Sequence, residues 1–419
     1  MASASSTRDF DAIVVGGGHN GLVAAAYLAA PACECGCSSG STMSVGPRSR
    51  PKSSTASTHN CRNMRIWSAC YRRASSTTWA RRFGWHGGGM RRIPRPRYGR
   101  SPGLLVGAQN TFAAIGAADD EPGFIAFYRR CRLVTERLWP TLLEPLRTRT
   151  QMHRHVLDGN RPEADAAWRA ITEEPIGHAI AAAVGNDLVR GVIATDALIG
   201  TFAGVNDPSL RQNICLLYHL LGGGTGHWDV PVGGMGSVTA ALAAAATSHG
   251  AEIVTGADVY AVDPEGEVWY RCGGEECRIR AESSWPASPG GAGRPAGPAR
   301  PPLAEGCQVK VNMVVRRLPR LRDDGVTAEQ AFGGTFHVNE TWTQLDAAYS
   351  RAASGGLPEP LPCEVYCHSL TDPSVLSAAL RDSGAATLTV FGLHTPHTLR
   401  ADRSPGVAAI SSPKRSSPR

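Results

Sequence analysis

Residues 31–100 are almost without acid. Glu34 stands alone there against 13 arginines and one lysine. The 419-residue chain carries a formal charge of +7 from 43 basic and 36 acidic residues, so outside this window acids outnumber bases. The basicity is therefore local. That excludes a uniformly basic surface and leaves only a basic arm as a polyanion binder. No run approaches 18 uninterrupted apolar residues, so no transmembrane span is expected, although peripheral contact with a membrane surface stays open. No internal repeat stands out, which argues against a solenoid. The first residues, "MASASSTRDF", are polar and too short for a secretory signal. With cysteines reduced by default, a cytoplasmic location is the expectation. The length suffices for two domains with sizeable cores. Nothing in the sequence indicates an oligomeric state.

What is present begins with "FDAIVVGGGHNGLVAAAYLAA". Ala12 to Val15 is a short apolar run suited to a buried parallel strand. Gly16, Gly18 and Gly21 follow as G-x-G-x-x-G, and Leu22 to Ala30 is alanine- and leucine-rich and predicts a helix. Gly16 permits the tight turn, Gly18 lets a pyrophosphate approach the backbone, and Gly21 lets the helix pack close to the strand. The amides of the helix start, with the helix dipole, then hold the phosphate. His19 and Asn20 lie in this turn as turn formers or as direct cofactor contacts. The glycine pattern alone is a weak signal. Its place between a strand and a helix makes it a dinucleotide-binding candidate.

The continuation lacks what this motif needs. A second strand should end in an acidic residue about 20 positions on, for the ribose hydroxyls. Around Ser38 and Ser39 there is neither a strand pattern nor a carboxylate. The window holds five of the 12 cysteines: Cys33, Cys35, Cys37, Cys61 and Cys70. Their spacing fits no common zinc pattern, and no metal is expected. A basic arm is one account of the segment. A shifted reading frame in a GC-rich gene is the other, and we favour it. When the third base of each codon is read with the first two of the next, residues 30–55 can encode AGLRVRVLERLDHVGGAAVTAEEFH. That text supplies a strand, RVRVLE, with the missing glutamate and a double-glycine turn. A second odd stretch, "SSWPASPGGAGRPAGPARPP" from Ser283, gives VVLASVT in the same offset.

The opening motif, together with "VPVGGMGSVTAAL", "GCQVKVNMVVRRLPRL", "AFGGTFHVNE" and "EVYCHSLTDPSVLS", resembles the phytoene-desaturase-like flavoproteins. Within them the resemblance is to the pyridine nucleotide-disulfide oxidoreductase domain-containing protein 2 group. It spans residues 9–30 and roughly 104–398. It implies an α/β fold: a Rossmann-like FAD-binding domain with a second substrate domain of antiparallel sheet and helices, as in amine oxidases. It implies an FAD-dependent oxidoreductase that removes hydride from a small apolar substrate, with no nucleic-acid partner. Such proteins close the flavin site with a C-terminal glycine-rich segment. This chain ends in "SPGVAAISSPKRSSPR", so it resembles a truncated member, and weak FAD binding is the expectation. The alternative is a catalytically dead protein whose segment 31–103 binds polyanions.

On this basis the chain divides into the start of the FAD domain at 1–30, the Arg/Cys-rich anomalous segment at 31–103, and a helical substrate or lid region at 104–229. A return to the FAD domain follows at 230–277, then a Pro/Gly-rich anomalous segment at 278–302, the substrate-domain sheet at 303–398 and a disordered tail at 399–419. Gly233, Gly234 and Met235, with Gly236, precede an alanine-rich helix from Ser237 to Ser248. They are a loop and helix cap by their residues, and a loop near the flavin by resemblance. The resemblance also implies that the strand at Val259 returns to the nucleotide domain and that its backbone contacts adenine. From Gln308 to Val315 apolar and polar residues alternate, which predicts a half-buried strand. "EVYCHS" and "ATLTVFGLH" are expected as further strands, which would send Cys367 and His368 to opposite faces. His337, His394 and His397 show no metal spacing, and His394 and His397 are expected in a surface loop. No catalytic acid or base stands out. A flavin enzyme tolerates that, because the cofactor takes the hydride.

Overall fold

The computed structural model describes residues 8–30, 103–286 and 306–399, with short gaps at 108–109, 160–161, 225, 227–228, 264, 323–324 and 398, and three strands at 43–45, 85–87 and 91–93. The described strands are β1 (Arg8–Val15), β2 (Met43–Val45), β3 (Trp85–Gly87), β4 (Arg91–Ile93), β5 (Leu104–Val106), β6 (Asp229–Pro231), β7 (Glu252–Ile253), β8 (Asp258–Val262), β9 (Glu267–Cys272), β10 (Glu275–Pro286), β11 (Gln308–Val315), β12 (Thr335–Val338), β13 (Cys363–Tyr366) and β14 (Ala386–Leu393). The helices are α1 (His19–Ala29), α2 (Asp120–Leu138), α3 (Arg149–Leu157), α4 (Pro162–Thr172), α5 (Ile176–Ala183), α6 (Asp187–Leu198), α7 (Arg211–Leu221), α8 (Met235–Ser248), α9 (Ala328–Phe332), α10 (Trp342–Ala353), α11 (His368–Thr371) and α12 (Ala378–Asp382). The fold is mixed α/β and divides into two units, 1–84 with 231–302 and 85–230 with 303–419.

The first unit is a six-stranded sheet in the order β7-β2-β1-β10-β9-β8. The strands β7, β2, β1 and β10 run parallel, while β9 and β8 continue antiparallel. β1 is buried on both faces, which explains its unbroken apolar run. Ala12 and Val14 pack with Ala25, Ala26 and Ala29 of α1 and Ala246 of α8. Ile13 and Val15 pack on the other side with Val268, Tyr270 and Ile279. The alanines of α1 and α8 let both helices lie close to the sheet.

One expectation for this unit falls outside the described residues, and another changes. The stretch around Ser38 and Ser39 lies outside the described residues, but β2 does stand parallel to β1, with Ala12 opposite Met43 and Ile13 opposite Ser44. Three residues, Met43 to Val45, fill the second-strand position. The boundary at 278 also moves. β10 runs through Pro286, pairing from Arg8 opposite Ile279 to Val15 opposite Pro286, so the first residues of the Pro/Gly-rich stretch belong to the sheet. Residues 279–286 thus pair along the whole length of β1.

The second unit joins a helical block to a sheet in the order β11-β14-β13-β12-β4-β5. The β11–β14, β14–β13, β13–β12 and β4–β5 pairs are antiparallel, and β12–β4 is parallel. The helical spacing of Phe124, Phe127 and Val134 puts these residues in the core beside Phe112, whose ring meets Phe124 edge-on at 5.4 Å. α2 stops where Pro140 enters a short 3-10 turn, Trp139–Thr141. α6 is buried along nearly its whole length, and Asn186 caps it by accepting from the amides of Leu188 and Val189.

Three expectations change here. β11 is an edge strand rather than a half-buried one: Val311 and Met313 are exposed along with Lys310 and Asn312. An edge strand loses the cover that period-two alternation normally signals. β13 ends at Tyr366, and His368 opens α11, so Cys367 and His368 are not strand neighbours. Cys367 Sγ lies 3.5 Å from Ser369 Oγ, while the His368 ring stacks on Tyr366. His394 is not on a surface loop. It is fully buried beside Phe202 and Tyr349, in a left-handed conformation that turns the chain inward after β14, whereas His397 is exposed. No described helix is long and apolar enough to cross a membrane. The five cysteines of the anomalous window lie outside the described residues, as does the C-terminal tail beyond Leu399.

Candidate functional site

The turn between β1 and α1 is built for close approach. Gly16 has φ 120°, a conformation that a residue with a side chain rarely adopts. Gly18 caps α1 in an extended conformation, and its carbonyl accepts from Leu22 N–H at 2.9 Å. No side chain caps this helix start, and no acid stands in its first turn. A methyl group placed on Gly17 or Gly18 would meet nothing within 4 Å. The space in front of the turn is therefore open, and backbone amides face it with the positive end of the helix dipole.

Beside this turn lies a cleft of about 570 Å³. Gly16, Gly17 and Gly21 form one wall with Leu22 and Ala25 of α1; Thr239 and Ala243 of α8 form a second; residues 251–257 and Val259 form the third. Of the residues expected at a cofactor, Gly16, Gly21 and Val259 thus meet in one cleft. Gly18, His19 and Asn20 sit on the same turn without lining it. Gly233, Gly234 and Met235 are not on its wall either. Gly233 and Gly234 have φ 82° and 74° and form the turn into α8, and Met235 is exposed at its start. One turn further along, α8 reaches the cleft with Thr239.

Sequence reasoning missed Glu252. It supplies the carboxylate of the described cleft lining, from β7, opposite Ser44 of β2. The signal sought was an acid at the end of the second strand, whereas this one stands on the next strand over, far away in sequence. No acid follows Val45 in the sequence before residue 100.

Three described cysteines of the second unit are poor thiolate nucleophiles. Burial pushes Cys131, Cys215 and Cys363 up to about 12, so they stay protonated at neutral pH. His368 is pushed down, first by burial and then by the Lys310 charge. One polar cluster is buried there: His337, Glu340 and Glu364, with Thr195 and Tyr366.

No protein-family model matches the chain. An uncharacterized protein of Mycobacterium tuberculosis is 57% identical over 413 residues, covering 94% of this chain and 76% of that protein. The pyridine nucleotide-disulfide oxidoreductase domain-containing protein 2 of Rattus norvegicus is 31% identical over 235 residues, covering 50% of this chain and 39% of its own length. Among solved structures, an oxidoreductase from Methanosarcina mazei aligns with a TM-score of 0.46 at 12% identity, over 92% of this chain and 79% of that one. The chain belongs to the family of the mycobacterial protein, and over about half of its length it is similar to the pyridine nucleotide-disulfide oxidoreductase domain-containing protein 2 group.

Proposed function

We propose that the chain is an FAD-dependent oxidoreductase of the phytoene-desaturase and amine-oxidase type, with a small apolar substrate. The observation that carries this reading is the cleft: the open glycine turn, Val259 and a carboxylate at Glu252 border one space large enough for the adenosine half of a dinucleotide. The strand order supports it, since β1, β2, β7 and β10 follow the pattern of a dinucleotide-binding sheet, with the glycine turn at the carboxyl end of its first strand. Gly16 to Gly21 would seat the pyrophosphate on the amides of α1, and the main chain at Val259 would border the adenine. Bound FAD would supply the hydride acceptor. The helices and sheet of the second unit would bind and orient the substrate while excluding water. The chain should hold FAD weakly, because no carboxylate follows β2 in the sequence to meet the ribose, and Glu252 stands one strand further over. A hydrogen bond to a charged group is worth roughly 1.5–3 kcal/mol, so its loss costs about one to two decades in affinity.

Titration of the purified full chain with FAD, followed by flavin fluorescence, tests this. We expect saturable one-to-one binding that does not survive gel filtration. Absence of binding at any FAD concentration, with steeply salt-dependent binding to polyanions instead, would replace the proposal by the basic-arm account. Stoichiometric flavin retained through the column would overturn the expected weakness.

A further inference from the structure

We propose that His337, Glu340 and Glu364 form a divalent-cation site inside the second unit, with zinc or a similar borderline metal as its occupant. The proposal does not depend on flavin binding, since every residue it uses lies in the second unit.

The topology brings the three side chains together. His337 of β12 stands directly opposite Glu364 of β13, so the two share a sheet face. The chain then turns at Asn339, whose side chain donates to the Leu361 carbonyl, and this returns Glu340 toward His337. Thr341 next caps α10 in a reciprocal arrangement with Gln344, which fixes the far side of the turn. Against it packs α6. Gly191 of that helix lies so close that an added methyl would fall 2.0 Å from the Glu340 carbonyl oxygen.

The donors converge. His337 Nδ1 lies 2.5 Å from Glu340 Oε2 and 3.8 Å from Glu364 Oε1, and one ligand atom from each residue falls within 4.8 Å of the others. All three residues are at most 2% exposed. A cation about 2.1 Å from each donor holds its ligands at separations between the two nitrogen–oxygen distances seen here, so movements under about 1 Å would complete the site. One imidazole nitrogen and two carboxylate oxygens, without sulfur, suit zinc or manganese better than a soft cation. Outer hydrogen bonds orient a ligand as metal sites require: Thr195 of α6 donates to Glu364 Oε1 at 2.7 Å, and the Tyr366 hydroxyl donates to Oε2. A dication there would tie β12, β13 and the turn before α10 together and offset the negative charge of two buried acidic side chains. The sequence shows only an isolated His-x-x-Glu, because the third ligand comes from another strand.

The test is metal content and ligand identity in the full chain. Protein loaded with Zn(II), passed through gel filtration and assayed by mass spectrometry should retain about one equivalent, and Glu340→Gln should retain under a tenth of that with its circular dichroism preserved. X-ray absorption of the zinc-loaded wild type settles the matter if the variant fails to fold. A nitrogen and oxygen shell supports the site. Sulfur at about 2.3 Å would assign the metal to cysteines and overturn it. Retention of no zinc by the wild type, with melting unaffected by a chelator, would also overturn it and leave the triad as a proton-sharing hydrogen-bond network.

Discussion

Replacing Gly18 by valine separates folding from cofactor binding. Gly18 has φ −77° and ψ 178°, an extended conformation open to any residue. A Cβ there meets none of the described residues beyond its chain neighbours within 4 Å. The folded protein should therefore accept the change at the cost of a poorer N-cap alone, about 1 kcal/mol or less. In a chain of this size that lowers the melting temperature by only ~2–4 °C. The same Cβ, with two further methyls, occupies the space through which a pyrophosphate must reach the amides of α1. Losing one charge-assisted hydrogen bond costs roughly 1.5–3 kcal/mol, so FAD affinity should fall at least about tenfold. The assay pairs a flavin-fluorescence titration with a thermal melt on wild type and variant. Unchanged affinity would show that the phosphate does not lie on this turn. A melting point lowered by much more than a few degrees would show that the space is not open, and the structural premise would fail.

Other changes have defined outcomes. Burial pushes His394 down to about 4 from an ordinary 6.5, and neither ring nitrogen has a described hydrogen-bond partner. The unfolded chain then binds the extra proton first, so this residue's contribution is full above pH ~6.5 and disappears as pH falls through about 4, amounting to about 3 kcal/mol. His394→Asn, which suits the left-handed backbone, should show a smaller loss of urea stability between pH 7 and pH 4 than wild type; equal losses would refute it. Gly191→Ala should destabilise by at least about 1–3 kcal/mol, because its methyl would strike the backbone of Glu340 and Thr341, and a denaturant midpoint equal to wild type would contradict that packing. Glu252→Gln should weaken FAD binding by up to about tenfold, since it removes the charge of the cleft carboxylate, and unchanged affinity in calorimetry with ADP would refute a role for it. Sequencing the gene in all three frames should show single-base slips near codon 30 and between about codons 90 and 104. An intact frame whose Arg-rich text recurs in related genes would return the basic arm to first place.

The sequence by itself determined those elements whose signals are local. β1 is a strand because four apolar residues precede the glycine turn, and α1 is a helix because alanine and leucine fill it. Pro140 sits in the 3-10 turn that follows α2, because its ring cannot continue a helix. The motif also named Gly16 and Gly21, since close backbone approach demands glycine wherever it occurs. Tertiary structure decided what depends on partners distant in sequence. Only the sheet shows that residues 279–286 run beside β1, because a period of two predicts a strand but not its neighbour. Only the strand order brings Glu252 to the cleft from more than 200 residues after the glycine turn. β11 reads as half-buried yet lies on an edge, since alternation encodes two faces and says nothing about whether either is covered. His394 looks like loop histidine, and His337 like an isolated one. Each is buried because other segments close over it, Phe202 and Tyr349 in one case, α6 and β13 in the other. Burial is a property of the packed chain, and that packing gives these residues their chemistry.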